Sequence, residues 1–519
     1  MLDIIHSRDK ELNRVDICEL TPLAREIPAG PQRVRGIAGS GKTRLLCQKA
    51  AFMHHQHPEW DIAYVFFTQS VYGDIHHNIE RTLIGLGKEW DPQKLKIFHA
   101  WGAYERPGLY RYICQSHGIR PLVVSDTVPY KYAQGLAFSA KLLLEQITIH
   151  PLFDAILVDE GQDMVFKEPE LQYQGKQPIY WMAYSALRPI TPDRPEIRRL
   201  IWAYDEYQNI NTMEIPSSKT IFGEEKGLDK LLLGYYKGKV PKNIIMKESY
   251  RTPGPVILAA HALCMGMLNR EGMIAGPTQK TEWELLGYQV SGTFQKNSMI
   301  TLVRPPENSK NPLTHFRGMP PLFSFELFTT RDEAYQKLAR TLYKLIKVDG
   351  IPPRNRILIV HLNKRHTLEG LTKYLMDKGI SFYFPGESDV NINHTPDYRD
   401  RKPRDFWKDD AVTIANVNQA KGNEADFVFV VGLEDTAADP LNVQTRNALF
   451  VAMTRTRGWV SLMGTGDPAD PFYQEILQIW KMLKEDPFKI TFQYRGKPKY
   501  PLDVELDEDQ TRLNLSFEA

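Results

Sequence analysis

Short apolar runs recur along the chain, and segments with helical periodicity separate many of them. The runs lead into glycine or polar residues, and examples are AYVFFTQS, AILVDEGQ, LIWAYDEYQ, RILIVHLN and FVFVVGL. In TLEGLTKYLMDKG, Leu368, Leu371 and Leu375 instead recur at helical spacing before Gly379. Continuous apolar strands that alternate with helices are typical of parallel sheets covered on both faces. The pattern therefore predicts an α/β fold.

The length of the chain favours at least two domains. Its 519 residues exceed the usual size of a single core, and two sheets of this kind would use about 250 residues each, insertions included. We therefore place one domain at 1–250 and a second at 251–470. Residues 103–150 would form a short insertion in the first domain, and 471–519 are a charged, proline-punctuated extension without an assigned role.

The composition is globular, with 42% hydrophobic and 25% charged residues, and the formal net charge is +2. Because the chain has no strong overall charge, any nucleic-acid-binding surface must be local. The four cysteines lie far apart, which disfavours a zinc or iron–sulfur site built from cysteine alone and suits a reducing compartment. Charges interrupt the first segment too early for a secretory signal, and no apolar run is long enough to span a bilayer. We expect a soluble cytoplasmic protein.

The segment VRGIAGSGKTRLL, residues 34–46, carries the most specific chemistry. Gly36, Gly41, Lys42 and Thr43 fit the phosphate-loop pattern Gly-x4-Gly-Lys-Thr, and the segment lies between a predicted strand and a predicted helix, as the pattern requires. Glycines let backbone N–H groups approach a phosphate at a helix N-terminus. Lys42 would reach the β- and γ-phosphates, and the Thr43 hydroxyl would hold Mg²⁺. The segment therefore predicts a bound nucleotide with Mg²⁺.

The segment AILVDEGQD, residues 155–163, predicts a buried strand that ends in carboxylates. Open α/β sheets bind ligands at this end of their strands. Asp159 would contact the Mg²⁺ shell, and Glu160 would position and deprotonate an attacking water. An Asp-Glu pair can also simply end a strand at the surface, but its combination with a phosphate loop favours catalysis. A carboxylate that activates water favours NTP hydrolysis over phosphoryl transfer to a metabolite.

The order of the motifs resembles superfamily 1 helicases of the UvrD/Rep type over about residues 30–465. VDEGQD is similar to the Asp-Glu-x-Gln-Asp motif of that family, and IAGSGKTR is similar to its motif I. The segments YVFFTQS, KIFHAWG, YDEYQNI, ESYRTP, NVNQAKGNEADF and NALFVAMTRTRGW resemble further motifs in the family order. The segments GPQRVRGIAGSGKT and KGNEA are most similar to the helicase portion of proteins that carry a nuclease-related domain. The resemblance implies two RecA-like P-loop NTPase domains. The family carries large accessory insertions in both domains, but the short spacing of the motifs in this chain predicts that they are reduced or absent.

The resemblance also implies which residues act on ATP. Arg251 and Arg455 occupy the two arginine-finger positions, and Gln208 occupies that of the γ-phosphate sensor. Tyr250 matches the aromatic residue that stacks on the base. Asp159 and Glu160 complete the catalytic set, and Thr43 and Asp159 are the implied metal residues. The implied cofactor-binding residues are Gly36, Gly39, Gly41, Lys42, Thr43, Arg44, Gln162, Tyr250, Gly422 and Glu424.

Contacts to nucleic acid are less specific in the sequence. The resemblance implies Thr68, Gln69, Phe98, His99, Trp101 and Asn418. Aromatic rings could stack on bases, but ordinary core packing is an alternative for Phe98, His99 and Trp101. A strand-end turn is the alternative for Thr68, Gln69 and Ser70. Asn418 stands where the family usually has histidine, so both DNA and RNA stay open as tracks. The segment DYRDRKPRDFWKDD is either a nucleic-acid contact or a solvated loop.

The favoured interpretation is an ATP-dependent translocase or helicase on single-stranded nucleic acid, with DNA preferred and a 3′–5′ direction implied by the resemblance. ATP would be hydrolysed at the interface of the two RecA-like domains. No nuclease-related domain precedes the phosphate loop, so we expect a nuclease or other effector on a separate chain, in phage defence or DNA processing. The alternatives are an ATP-gated DNA-sensing subunit that does not unwind a duplex, and an RNA-directed ATPase.

Overall fold

The chain divides into two compact units, which a computed structural model describes. The first unit comprises Asp16–Ile37 and Gly41–Met246, and the second comprises Met1–Val15, Ala38–Ser40 and Lys247–Val504. The described residues are 1–68, 71–102, 107–130, 132–205, 216–223, 228–316, 319–362, 368–385, 406–484 and 487–501, without the side chains of 12–21 and 229–230.

The first half of the chain alternates helices and strands. Its elements are α1 (Leu2–Arg25), β1 (Gln32–Gly36), α2 (Lys42–Gln56), β2 (Ile62–Phe66), α3 (Tyr72–Gly85), β3 (Leu95–His99), α4 (Leu109–Ser116), α5 (Tyr132–Gln146), β4 (Ala155–Val158), α6 (Pro178–Ser185), β5 (Pro189–Thr191), β6 (Arg194–Tyr204), α7 (Ser218–Phe222) and β7 (Asn243–Met246). The strands form one seven-stranded sheet in the order β3-β2-β4-β6-β1-β7, with β5 paired to β6. All pairs are parallel except β5 with β6.

Apolar side chains on both faces explain why these strands lie inside the unit. Every residue of β2 and β4 is buried, and Val65 of β2 lies in register with Val158 of β4. Parallel neighbours cannot be joined by a tight turn, so helices cross over between them. The predicted short insertion adds to this core, because Ile113 of α4 and Leu136 of α5 are fully buried within it.

The second half of the chain contains a further sheet of parallel strands. Its elements are α8 (Gly254–Met265), β8 (Ala275–Gly276), α9 (Lys280–Leu285), β9 (Gln289–Ser291), β10 (Ser298–Val303), β11 (Phe323–Phe328), α10 (Arg331–Tyr343), β12 (Ile357–His361), α11 (Glu369–Asp377), β13 (Phe382–Tyr383), β14 (Val412–Asn416), α12 (Val417–Ala420), β15 (Ala425–Val431), α13 (Glu434–Ala438), α14 (Val443–Met453), β16 (Thr456–Thr465), α15 (Pro471–Met482), β17 (Lys489–Tyr494) and β18 (Tyr500–Pro501). Six strands form the order β11-β16-β15-β12-β14-β13, all parallel. The predicted α/β fold with parallel sheets is confirmed.

Residues 471–484 and 487–501 are an integral part of the second unit. β17 pairs antiparallel with β10, which also pairs with β9. α15 docks through a fully buried ion pair, in which Arg446 of α14 donates to Glu475 at 2.8 and 3.2 Å. Among the helices that the structure describes, none combines the length and apolar character needed to cross a bilayer.

Glu475→Ala is expected to destabilise the second unit by about 3–5 kcal/mol, because it leaves the Arg446 guanidinium buried without its carboxylate. Urea unfolding monitored by circular dichroism measures the loss. The matched control is Glu284→Ala, which removes one partner of an exposed pair with Lys280 and should cost less than about 1 kcal/mol. Equal unfolding midpoints for the two variants would contradict the docking role of α15.

Candidate active site

The loop between β1 and α2 has the backbone shape of a phosphate cradle. Gly39 and Gly41 adopt φ values of 75° and 90°, in the left-handed region that glycine tolerates best. Gly41 is the N-cap of α2, so the N–H groups of the first helical turn have no partner within the helix. The Lys42 ammonium donates to the carbonyl oxygens of Gly36 at 2.8 Å and Ile37 at 3.1 Å. Together these groups form an anion-binding geometry at the start of a 15-residue helix.

A carboxylate that the sequence analysis missed lies beside the lysine. Asp205 directly follows β6, and its Oδ2 atom lies 3.5 Å from Lys42 Nζ, with both side chains buried. Its backbone N–H donates to Gln162 Oε1 at 3.2 Å. Its position at the end of the apolar run LIWAY could have indicated this carboxylate. The run forms β6, which pairs in parallel with β1, so its end lies beside the start of the phosphate loop. Gln208, the predicted sensor from the same motif, lies outside the described residues.

The two predicted metal residues meet at the end of β4. Asp159 is 2% exposed and accepts a hydrogen bond from the Thr43 side chain. Tyr64 donates its hydroxyl to Asp159 Oδ2 at 2.9 Å, and the Glu160 N–H donates to Oδ1 at 3.0 Å. Burial and the adjacent Glu160 carboxylate raise the pKa of Asp159 to about 6. A divalent cation here would favour the ionised carboxylate instead.

Glu160, the predicted base, has an unusual backbone conformation. Its φ of 51° and ψ of 44° lie in the left-handed region, which costs a residue with a side chain about 1–3 kcal/mol and is concentrated at functional sites. The residue precedes a 3-10 turn at Gly161–Met164. Gln162 donates its side-chain amide to Glu160 Oε2. The Glu160 carboxylate is therefore oriented by its neighbour and remains half-buried at the carboxyl edge of the sheet.

Gly161→Ala is expected to lower ATP turnover by about 100-fold, the effect of an ångström-scale misplacement of a catalytic group. A Cβ at Gly161 would lie 2.1 Å from Tyr180 Oη and 3.3 Å from the carbonyl oxygen of Ala203, so the turn that carries Glu160 must shift. Steady-state kinetics measures the loss. Because Tyr180→Phe removes the closest atom, the double variant should recover part of the activity; a double variant as slow as Gly161→Ala would argue against this steric account.

The predicted arginine fingers lie in a cluster of guanidinium groups in the second unit. Arg251 Nη1 lies 3.1 Å from Glu424 Oε2, and Arg457 Nη1 lies 3.8 Å from Glu424 Oε1. Desolvation would raise the pKa of Glu424, but Arg251, Arg457 and Arg455 outweigh it and lower the pKa below its ordinary value. Arg455 is 1% exposed and donates from Nε to the carbonyl oxygen of Val451 at 2.9 Å. Several guanidiniums around one carboxylate leave a net positive cluster suited to a phosphate.

Arg457 was not singled out from the sequence, although it lies two positions after Arg455 in TRTRGW. Its Nε atom also lies 3.2 Å from Asp426 Oδ1, a carboxylate that is fully buried. Arg457 is the second residue of β16, and Arg455 lies in the turn directly before this strand. This spacing was the available signal.

The tip of the phosphate loop contacts the segment that carries Arg251, and both belong to the second unit. The Gly39 carbonyl oxygen accepts from the N–H groups of Tyr250 at 3.0 Å and Arg251 at 3.2 Å. Ser249 donates its hydroxyl to the carbonyl oxygens of Thr252 and Ala38, at 2.9 and 3.3 Å. Ser249 thus contacts the loop directly.

The remaining predicted ATP contacts have varied surroundings. Tyr250 is 7% exposed and donates its hydroxyl to Glu248 Oε2 at 2.7 Å. Arg44 lies half-buried in the first turn of α2, and Gly422 adopts a φ of 83° just before Glu424. The Ser40 hydroxyl is 1% exposed, and it has no hydrogen-bond partner among the described residues. An orphaned buried hydroxyl in the loop fits a site that receives a polar ligand.

The aromatic residues predicted to contact nucleic acid are packed inside the first unit. Phe98 and Trp101 are 4% and 5% exposed and belong to its core, and Trp101 Nε1 donates to the carbonyl oxygen of Leu122 at 2.9 Å. His99 Nε2 lies 2.7 Å from the carbonyl oxygen of Phe67, and Nδ1 accepts from the Trp101 N–H at 3.1 Å. The rings of Phe98 and Trp101 are therefore core residues in this structure, and His99 hydrogen-bonds the backbone of Phe67 and Trp101.

The other predicted nucleic-acid contacts are more accessible. Thr68 is half-buried just after β2, and Asn418 is exposed on α12. Asn416 caps α12 by accepting from the Gln419 N–H at 3.0 Å. Gln69 and residues 397–405 of the segment DYRDRKPRDFWKDD, which spans 397–410, lie outside the described residues. Phe406, in the described part of that segment, is buried.

Comparisons with known proteins add to this geometry. Residues 411–463 match the family model of the UvrD-like helicase C-terminal domain, and this range includes Gly422, Glu424 and Arg455. The match indicates a helicase-type, nucleic-acid-associated ATPase. A solved C-terminal domain of a possible DNA helicase from Lactobacillus plantarum WCFS1 is 17% identical and covers 30% of this chain and 82% of its own. Its TM-score is 0.21, so this likeness carries no argument. A search of curated proteins found no match.

Proposed function

We propose that the chain is an ATP-dependent translocase or helicase that moves on single-stranded nucleic acid, with DNA as the favoured track. The observation that carries the proposal is the meeting of Thr43 with Asp159 and Glu160 at the carboxyl edge of a parallel sheet. Phosphate-loop NTPases need these groups together. The helicase-type match over 411–463 supports a nucleic-acid motor rather than a metabolite kinase.

The residues of the first unit fit ATP and Mg²⁺. Lys42 would donate to the β- and γ-phosphates, and Thr43 and Asp159 would hold the metal shell. Bound Mg²⁺ would neutralise phosphate charge. Glu160 would accept the proton of the attacking water, while the Gln162 amide keeps its carboxylate oriented. Gln208 is proposed as the γ-phosphate sensor on the resemblance alone.

In the second unit, Arg251 and Arg455 would stabilise the charge that develops on the transferred phosphoryl group. Glu424 would hold the Arg251 guanidinium, since the two side chains lie 3.1 Å apart. Tyr250 is proposed to stack on the base, following the family. We propose Thr68, Gln69 and Asn418 as contacts to the nucleic acid, because Thr68 is partly accessible and Asn418 is exposed.

Displacement of streptavidin from biotinylated oligonucleotides tests translocation directly. The family's 3′–5′ direction predicts ATP-dependent release from a 5′-biotin and slower release from a 3′-biotin. Single-stranded DNA and RNA of matched sequence distinguish the two tracks. A Lys42→Ala variant serves as the control without nucleotide binding. No release from either end above the rate of this control would refute a translocase.

A second candidate is an ATP-gated DNA-sensing subunit that binds DNA without unwinding it. It is favoured by the packing of α4 and α5 into the core of the first unit, where the family has an accessory insertion. Hydrolysis would then release a separate effector, such as a nuclease acting in phage defence or DNA processing. Duplex unwinding by the isolated chain would exclude this candidate, and its copurification with an effector would support it. The cytoplasmic location remains a prediction.

A further inference from the structure

A tyrosine lies beneath the proposed metal residues, on the strand next to β4. Tyr64 is at the centre of β2 and in register with Leu157, two positions before Asp159. Its side chain is fully buried. The hydroxyl donates to Asp159 Oδ2 at 2.9 Å and also lies 3.5 Å from the carbonyl oxygen of Thr43. The phenol thus touches both segments that would hold Mg²⁺.

The phenol can act only as a hydrogen-bond donor toward the carboxylate. Burial, and then the negative charge of Asp159, raise the pKa of Tyr64 well above its usual range, so the hydroxyl keeps its proton. The Cys47 thiol of α2 hydrogen-bonds the same hydroxyl, and burial raises the pKa of this thiol as well. Both groups behind Asp159 are therefore neutral, and neither supplies a competing charge.

Asp159 is oriented by donors on both of its oxygens. The Glu160 N–H fixes Oδ1, whereas Tyr64 donates to Oδ2. The Thr43 hydroxyl, the third donor, is itself expected to be a metal ligand. Tyr64 is thus a side chain outside the phosphate loop that fixes the direction of the carboxylate. A phenylalanine would fill the same buried space, so hydrophobic burial alone does not require a hydroxyl here.

We propose that Tyr64 is a positioning residue for metal binding, whose hydroxyl holds Asp159 in the orientation that receives the Mg²⁺ shell. The inference rests on the proposed function, because it assumes that a nucleotide and a metal bind at Thr43 and Asp159. Groups that orient a ligating carboxylate usually contribute 10- to 100-fold to metal affinity. Tyr64 therefore determines the Mg²⁺ concentration at which the metal site of the protein–nucleotide complex is filled.

The test uses Mn²⁺ as a spin probe for the metal and ADP as the nucleotide, with the full chain. Electron paramagnetic resonance of free Mn²⁺ gives the dissociation constant of the metal in the protein–ADP complex. Tyr64→Phe is expected to raise this constant about 10-fold or more. Binding of fluorescent ADP in EDTA should be unchanged, because Lys42 and the loop amides are intact. An unchanged Mn²⁺ constant, or an equal loss of ADP affinity with and without metal, would overturn the inference.

A matched variant and a double variant separate positioning from packing. Tyr110→Phe removes another buried hydroxyl of the first unit, which accepts from the Leu122 N–H at 3.2 Å, and it should leave Mn²⁺ binding unchanged. In an Asp159→Asn background, Tyr64→Phe should add no further loss, because both changes act on one interaction. Additive losses would contradict the proposal. If the unaltered chain failed to bind Mn²⁺ with ADP, the proposed function would fail first and the inference with it.

Discussion

Glu160→Gln is expected to abolish steady-state ATP hydrolysis, lowering kcat by about 100- to 10,000-fold, the usual contribution of a general base. The amide is nearly isosteric with the carboxylate but cannot accept the proton of the attacking water. Because Lys42, Thr43 and Asp159 remain in place, ATP should still bind. Phosphate release measures turnover, and fluorescent ATP measures binding in the same preparation.

Glu170→Gln is the matched control, since Glu170 is exposed on the surface of the same unit and has no proposed role. It should hydrolyse ATP at the rate of the unaltered chain. Hydrolysis by Glu160→Gln at a similar rate would refute the assignment of the base. Loss of ATP binding together with hydrolysis would instead assign Glu160 to nucleotide binding.

Arg251→Ala is expected to lower kcat by about 1,000-fold or more, the lower range of arginine-finger effects. The guanidinium would otherwise stabilise charge on the transferred phosphoryl group. Its loss should hardly affect folding, because Arg251 and Glu424 are 20% and 38% exposed and such pairs contribute about 0–1 kcal/mol. Single-turnover hydrolysis with saturating enzyme measures the chemical step without substrate binding.

Arg331→Ala controls for the loss of a partly exposed arginine, because Arg331 pairs with Glu434 in the same unit. This variant should retain full activity. Arg251→Lys keeps the charge without the bidentate geometry and should fall between the unaltered chain and the alanine variant. If Arg251→Ala hydrolysed ATP at the unaltered single-turnover rate, the arginine would have no part in the chemical step.

The buried strands could be predicted because their side chains are apolar on both faces. The run AILV corresponds to β4, and RILIVHLN contains β12. The helix predicted from Leu368, Leu371 and Leu375 is α11, which begins one residue later, at Glu369. Local periodicity records the burial of these residues directly, whatever their distant neighbours are.

Pairings between distant residues could not be predicted in this way. Residues 1–15, included in 1–250 from the sequence, pack within the second unit. There Arg8 is fully buried and donates to Asp426 at 2.6 Å, a partner 418 positions away. From sequence alone, a charged residue in an amphipathic segment is assigned to the solvated surface of a helix unless its partner is known. The position of the N-terminal segment therefore depended on the tertiary structure.

The same distinction between local sequence patterns and distant contacts applies to the candidate site. Lys42, Thr43, Asp159 and Glu160 could be proposed from the sequence because the chemistry expected of them requires short, fixed spacings. Tyr64 lies in an apolar strand, where a tyrosine has the sequence pattern of an ordinary core residue. Nothing in the sequence therefore indicated a role for its hydroxyl. Phe98 and Trp101 show the converse case, since aromatic residues have the same pattern in a core and on a stacking surface.

Steady-state ATP hydrolysis by the isolated chain, alone and with single-stranded DNA, duplex DNA or single-stranded RNA, tests the central claim most directly. A motor on single-stranded nucleic acid couples its ATP site to its track, so single-stranded DNA should raise kcat well above the values with duplex or with no polymer. The Glu160→Gln variant should show no such response. A rate that no polymer changes would contradict an autonomous motor.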